Sequence, residues 1–265
     1  MNEGNVLPKL PDYKDNAELY ELEEKSRPDE MAMINTAGDI AIQLLNNLNN
    51  SNVLDICCGT GLSMEKFVNH PSISKIVGLD ISQEYLDFAK KKYSNLSNPP
   101  IFIKGDAIEE DLPDYKWNII MMASAYHHIE NDRKLHFLKR ISNLLGKNGY
   151  GIIAENILPK YNIDDEKDYS RSVKLFYNEV LKTTKLLNPD TCERALDLIK
   201  RVAKYGIDGE YEYKVSLDIL LHHIDCSGLT IIKQNKVWPN SGALSKTNAG
   251  NYVFLVKNNI LCDEK

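Results

Sequence analysis

Three observations predict an α/β protein with a mostly parallel sheet and helices on both faces. Residues 53–63, Val-Leu-Asp-Ile-Cys-Cys-Gly-Thr-Gly-Leu-Ser, run an apolar strand into an acidic residue and then a glycine-broken loop. From Ser51 to Glu155, strand-like and helix-like segments alternate, as parallel β-α-β units require. Residues 156–212 then break the rhythm with helical patterns and no strand, so an insertion follows the fifth strand.

The elements follow in order. Pro8 and Pro11 discourage regular structure in the first dozen residues. Asn16 to Arg27 and Asp29 to Leu48 carry helical patterns separated by Pro28, and Met33, Ile34, Ala37, Ile40, Ala41, Leu44 and Leu45 give the second helix an apolar face to set on the sheet. The first helix is free to cover a ligand. Strand one leads into the glycine loop, and Met64 to Val68 reads as the helix that follows it. Lys75 to Asp80 is the next strand, Ser82 to Tyr93 a helix, Ile101 to Lys104 the third strand and Trp117 to Ser124 the fourth. Asn131 to Leu145 is an amphipathic helix flanked by Gly146 and Gly149, and Tyr150 to Glu155 is the fifth strand. Within the insertion, helices span Tyr169 to Leu187 and Pro189 to Tyr205. A last helix, Ser216 to Cys226, stops at Gly228, and Leu229 to Trp238 with Tyr252 to Val256 forms a terminal antiparallel pair. The expected units are 1–48 (N-terminal helices), 49–155 with 213–258 (core) and 156–212 (insertion).

At a strand's carboxyl end, Asp80 is placed to accept hydrogen bonds from both hydroxyls of a ribose, and Asp106 of Gly105-Asp106-Ala107 ends the next strand. Gly59 and Gly61 let backbone approach a ligand with no Cβ in the way. A dinucleotide fingerprint would need a third glycine where Met64 stands, so NAD fits poorly. The order Asp-x-Cys-x-Gly-x-Gly, then Asp80, then Gly-Asp-Ala resembles class I S-adenosylmethionine-dependent methyltransferases over roughly residues 35–155. Cys57 stands where the family usually has glycine, at a position that contributes mostly backbone. The resemblance implies a Rossmann-like seven-stranded sheet with a reversed last strand, S-adenosyl-L-methionine as cofactor, and cofactor contacts from Asp55, Cys57, Gly59, Gly61, Asp80, Ile81, Asp106, Ala107 and Ser124. For Asp55, Asp80 and Asp106 the alternative is a purely local role, capping a helix or closing a turn.

Methyl transfer asks mainly for alignment, exclusion of water and management of one proton. Ser124-Ala125-Tyr126-His127-His128 follows strand four, where the family places substrate-facing groups. His127 and His128 are the candidate bases, because imidazole titrates near neutrality; the alternative is a histidine that holds the loop through backbone hydrogen bonds. Tyr20, Tyr126, Tyr177 and Trp238, with Tyr13, Phe176, Tyr205, Tyr211 and Tyr213, are candidates for a largely apolar acceptor pocket, or for ordinary packing. His222-His223 reads as a helix pair and Asp164 to Asp168 as a solvated helix start, and no metal site is expected.

The formal charge of −6 (38 acidic, 32 basic residues) offers no general attraction to nucleic acid, and no Asn/Asp-Pro-Pro-Tyr motif stands at strand four. Five scattered cysteines, Cys57, Cys58, Cys192, Cys226 and Cys262, read as reduced thiols. No signal-peptide pattern or membrane-length apolar run is present, so a cytoplasmic protein that does not enter membranes is expected. The sequence thus predicts methyl transfer to an oxygen or nitrogen of a small molecule. Two other readings are a carboxy-S-adenosylmethionine synthase-like enzyme, for which Arg171, Arg194 and Arg201 are available to hold a carboxylate, and a non-catalytic nucleoside-binding module. Self-association, for example as a dimer through the terminal strands or the insertion, is left open.

Overall fold

The structure is a computed structural model that describes residues 16–187 and 193–259. Tyr13, Cys192 and Cys262 lie outside the described residues. Seven strands, β1 (Ser51–Ile56), β2 (Ile73–Asp80), β3 (Ile101–Lys104), β4 (Trp117–Ala123), β5 (Leu145–Ile157), β6 (Leu229–Trp238) and β7 (Gly250–Asn258), form one sheet in the order β3-β2-β1-β4-β5-β7-β6. The pairs from β3 to β5 are parallel, and β7 runs antiparallel between β5 and β6. The seven-stranded sheet with its reversed final strand is therefore as expected.

Period-two alternation sends neighbouring residues of one strand to opposite faces. Leu54, Val77 and Ile120 meet Phe137, Leu138 and Ile141 of helix α4 (Lys134–Leu144) and Leu220 and Ile224 of α7 (Leu217–Cys226). Val53, Ile76 and Ile119 meet Met33, Ala37, Ile40 and Ala41 of α2 (Pro28–Leu45) and Leu86 of α3 (Gln83–Tyr93). Strands covered on both faces read as continuous apolar runs, which is why β1, β2 and β4 were legible.

Local signals set the helix ends. Asn16 caps α1 (Ala17–Lys25) by accepting from Leu19 N at 2.9 Å, Pro28 opens α2, and Ser82 caps α3. Two expectations need correction. The segment after the glycine loop is one 3-10 turn, Leu62–Met64, followed by irregular turns, because Pro71 closes off the chain before a regular helix is established. Strand β5 begins at Leu145, five residues before the expected start; Gly149 allows this, since a Cβ there would lie 2.5 Å from the Trp117 carbonyl.

The insertion folds as α5 (Glu166–Leu187) and α6 (Glu193–Asp208) around Val173, Phe176, Val180, Leu198, Ile199 and Val202, joined by Trp238 and Leu244. Asp165 caps α5 through the amides of Lys167 and Asp168, so the acidic run is a helix start as read. Among the described residues no helix is long and apolar enough to cross a membrane. The crossovers leave β1 and β4 in opposite directions, and ligands of open α/β sheets bind beyond strand ends at such a point.

Candidate functional site

Beyond the ends of β1, β2 and β4 lies a cleft of about 1230 Å³ that is partly open to solvent. Its floor is the loop after Ile56, where Cys57 (φ 57°), Gly59 (φ 52°) and Gly61 (φ 72°) are all left-handed. Asp80 holds this loop: its Oδ2 accepts from Gly59 N at 2.8 Å and its Oδ1 from Ser82 N at 2.8 Å. Cys57, Gly59, Asp80, Ile81, Asp106, Ala107 and Ser124 line the cleft, so most of the expected set converges there. Ser124 also sits at φ 51°, and its hydroxyl donates to Glu30 of α2. Tyr20 of α1 stacks on Tyr85 of α3 across the opening, with ring centroids 5.2 Å apart.

Asp55 and Gly61 do not line the cleft but stand behind the loop. Asp55 is 1% exposed and accepts from the Ser63 hydroxyl, which ties the strand end to the turn after the loop. A Cβ on Gly61 would lie 2.8 Å from the Tyr93 ring. Burial pushes the Asp55 carboxyl up to about 7, Ser63 opposing and the Asp80 charge adding to the rise. A folded-state value above the unfolded 3.8 gives a contribution that is full at low pH and is lost as pH rises through about 7. Between pH 5 and pH 8 the protein should therefore lose ~2 kcal/mol of stability relative to Asp55→Asn. Parallel urea curves for the two proteins at both pH values check this, and curves that stay parallel would refute it.

Asp106 faces the cleft, but Oδ1 accepts from Ile108 N at 2.7 Å and Arg133 lies 3.4 Å from both oxygens, so the turn it closes is fixed by its own carboxylate.

Behind Ser124 a smaller, polar chamber adjoins the cleft. Tyr20, Glu24, Glu30, Ser124 and His128 line both. His127 faces only the chamber. Its Nδ1 lies 2.5 Å from Glu155 Oε1, and its Nε2 lies 3.6 Å from Glu212. His128 Nδ1 is 3.0 Å from the Tyr211 carbonyl, which can only accept, so Nδ1 carries a proton, and the same nitrogen lies 3.7 Å from Glu212 Oε1. Lys214 pairs with Glu212; burial presses this ammonium down, but Glu212 overrides it and holds the value well above the usual lysine range. Arg27 spans Glu24 (3.1 Å), Asp29 (3.1 Å) and Glu30 (3.4 Å). Burial raises the Glu30 carboxyl, against Arg27, and likewise that of Glu155, against Lys214.

Two of the four aromatic candidates are displaced from the pocket. Tyr126 is 1% exposed in the sheet core, with its hydroxyl 2.5 Å from His223 Nδ1 and the Lys134 ammonium 4.2 Å from its ring centroid. Trp238 packs on Phe176 within the insertion core. The apolar face of the insertion is spent on this core, so the chamber is polar rather than largely apolar. Tyr20 and Tyr177 do line it, and Tyr211 and Tyr213 line the cleft. Arg171 is exposed and pairs with Asp168, and neither it nor Arg201 lines either cavity; nothing is described of the Arg194 side chain.

Sequence reasoning missed Tyr85, Arg27, Glu30, Arg133, Glu155, Glu212 and Lys214. For Tyr85 a signal existed, since a residue three beyond the Ser82 cap turns back toward the end of β2. His127, His128 and Glu212 bring ligand atoms within 4.8 Å of one another, the spacing of a three-residue metal site. Lys214 already sits on Glu212, and His128 Nδ1 is turned to the Tyr211 carbonyl.

Residues 53–149, which include the loop, Asp80, Asp106 and His127-His128, match the family model described as "Methyltransferase domain". Over those residues the chain is similar to a methyltransferase domain. An uncharacterised methyltransferase of Schizosaccharomyces pombe is 26% identical over 166 residues, covering 57% of this chain and 56% of that protein. The chain spans about half the length of the first curated relatives it matches. The methyltransferase-domain fold extends over most of the chain: a solved S-adenosylmethionine-dependent methyltransferase of Clostridium acetobutylicum superposes with TM-score 0.59 at 17% identity, covering 91% of this chain and 97% of that one. The magnesium protoporphyrin IX methyltransferase of Synechocystis, solved with bound SAH, gives TM-score 0.54 at 15% identity, covering 86% of this chain and 84% of that one.

Proposed function

We propose that the methyltransferase domain binds S-adenosyl-L-methionine in the larger cleft and transfers its methyl group to an oxygen or nitrogen of a small acceptor presented from the polar chamber. The observation that carries this reading is Asp80. It is a carboxylate at a strand end on the topological switch point, pinned by the Gly59 and Ser82 amides and open to the cleft. The relatives named methyltransferases, and a fold neighbour solved with SAH, support the same cofactor.

The residues fit that group. Asp80 offers acceptors for ribose hydroxyls, the left-handed loop brings backbone rather than side chains to the ligand, and the buried Tyr85 hydroxyl at the cleft wall has no hydrogen-bond partner among the described residues. When bound, the cofactor supplies an activated methyl on a sulfonium, so the chain's part is alignment and proton handling. Tyr20 and Tyr85 stack across the opening and narrow the access of water. The acceptor reaches the cleft past Ser124, and His128 is the imidazole shared by both cavities and placed to take the acceptor's proton. His127, oriented by Glu155, stands behind it.

Calorimetric titration of the full chain with S-adenosylmethionine, S-adenosylhomocysteine and NAD tests the reading. Binding of the two sulfur nucleosides and not NAD is expected; binding of NAD alone would refute it.

A further inference from the structure

Resting on the methyltransferase reading, we infer that the acceptor is an amine that enters the chamber as its ammonium. The chamber is built for a monocation. Glu24, Glu30 and Glu212 line it with Arg27 and Lys214, and behind them buried Asp29 pairs with Arg27 and Glu155 with His127, while Lys134 is turned to the Tyr126 carbonyl, so acidic groups outnumber basic ones where charge is expensive to leave uncompensated. One guanidinium is divided among three of the carboxylates.

An ammonium has three donors and no acceptor, which matches the carboxylates and imidazoles among the lining residues. Tyr20, shared by both cavities, adds an aromatic wall that favours a cation. Carboxylate and phosphate acceptors would meet Glu24, Glu30 and Glu212, while Arg27 and Lys214 are already engaged by these carboxylates. A divalent metal on His127, His128 and Glu212 is less favoured, because the Lys214 ammonium already occupies Glu212 and would face a doubly charged ion at close range.

The chemistry balances. The ammonium gives one proton to an imidazole Nε2, which later releases it to solvent. The freed nitrogen lone pair forms the C–N bond as the C–S bond breaks, and that bond pair stays on sulfur, leaving a neutral thioether and a methylammonium product.

The test uses the full chain and three probes of matched size, 2-phenylethylamine, 2-phenylethanol and phenylacetate, titrated calorimetrically near neutral pH in two buffers of different ionisation heat, with and without S-adenosylhomocysteine. The amine is expected to bind ~10-fold or more tighter than the alcohol, and phenylacetate weakest. Glu30→Gln and Glu212→Gln should each cut amine affinity ~10-fold without changing that of the alcohol. Equal binding of amine and alcohol, no amine binding at tens of millimolar, or a requirement for added Zn²⁺ or Co²⁺ would overturn the inference. Amine selectivity is read without cofactor turnover, and nucleoside binding is measured in its own titration, so failure here and failure of the methyltransferase reading are separate results.

Discussion

Arg27→Ala is expected to destabilise the fold by about 3–5 kcal/mol, the range found when one partner of a buried ion pair is removed. Arg27 is 5% exposed at the junction of α1 and α2, and its guanidinium reaches Glu24, Asp29 and Glu30. Without it three buried carboxylates face one another, and one of the contacts between α1 and α2 is gone. The deficit should depend on pH with a definite sign. Burial already raises Glu30, and Arg27 is the largest opposing influence, so its loss raises Glu30 further. A group whose folded value exceeds its unfolded value favours the fold at low pH and loses that contribution as pH rises through the folded value. The variant should therefore come closest to the wild type in mild acid and fall furthest behind it in mild alkali. Arg27→Lys should rescue little, because an ammonium cannot reproduce the planar fork that divides among three partners. Urea unfolding of the three proteins at pH 5.5 and 8 decides it. A deficit below 1 kcal/mol, or one that shrinks with pH, would show that solvent already screens this cluster.

The contrast between cleft and chamber shows what a single sequence conveys. The cleft is made of strand ends, and each of its features leaves a local trace: an apolar run before Cys57, the spacing of Gly59 and Gly61, a carboxylate where β2 must stop. Such traces survive because the backbone conformation itself demands them, as the alternate left-handed positions 57, 59 and 61 do. The chamber leaves no local trace. Arg27 and Glu30 come from the start of α2, Glu155 from near the end of β5, and Glu212 with Lys214 from the chain's return out of the insertion. Each looks like an ordinary surface charge until the tertiary fold buries it. Tyr126 and Trp238 were misplaced for the complementary reason. Their positions after β4 and at the end of β6 are near the site in sequence, but large aromatic rings gain more from a packed core than from a cavity wall, and both have one. The helix expected after the glycine loop failed on length, since too few residues precede Pro71 for more than irregular turns.

Asp80→Ala is expected to weaken S-adenosylmethionine binding ~100-fold, about 3 kcal/mol, while leaving the protein folded. Two losses combine. The ribose acceptors disappear, each hydrogen bond to a charged group being worth about 1.5–3 kcal/mol. The Gly59 amide also loses its 2.8 Å partner, so the loop that shapes the cleft is no longer tied to β2. Stability should suffer little, because Asp80 is only half-buried, and Ser82 keeps its own cap to Tyr85 N at 3.3 Å. Asp80→Asn separates the two contributions. Its amide oxygen can still accept from one loop amide but offers the ribose a weaker acceptor, so it should bind between the wild type and the alanine variant. If alanine and asparagine bind the nucleoside equally weakly, charge at the ribose dominates. If asparagine restores most of the affinity, loop anchoring dominates, and the role of Asp80 is to shape the cleft rather than to grip the ligand. If Asp80→Ala binds as the wild type does, Asp80 is a local cap and the nucleoside site must be sought elsewhere in the cleft, with the unpartnered Tyr85 hydroxyl as the next residue to replace.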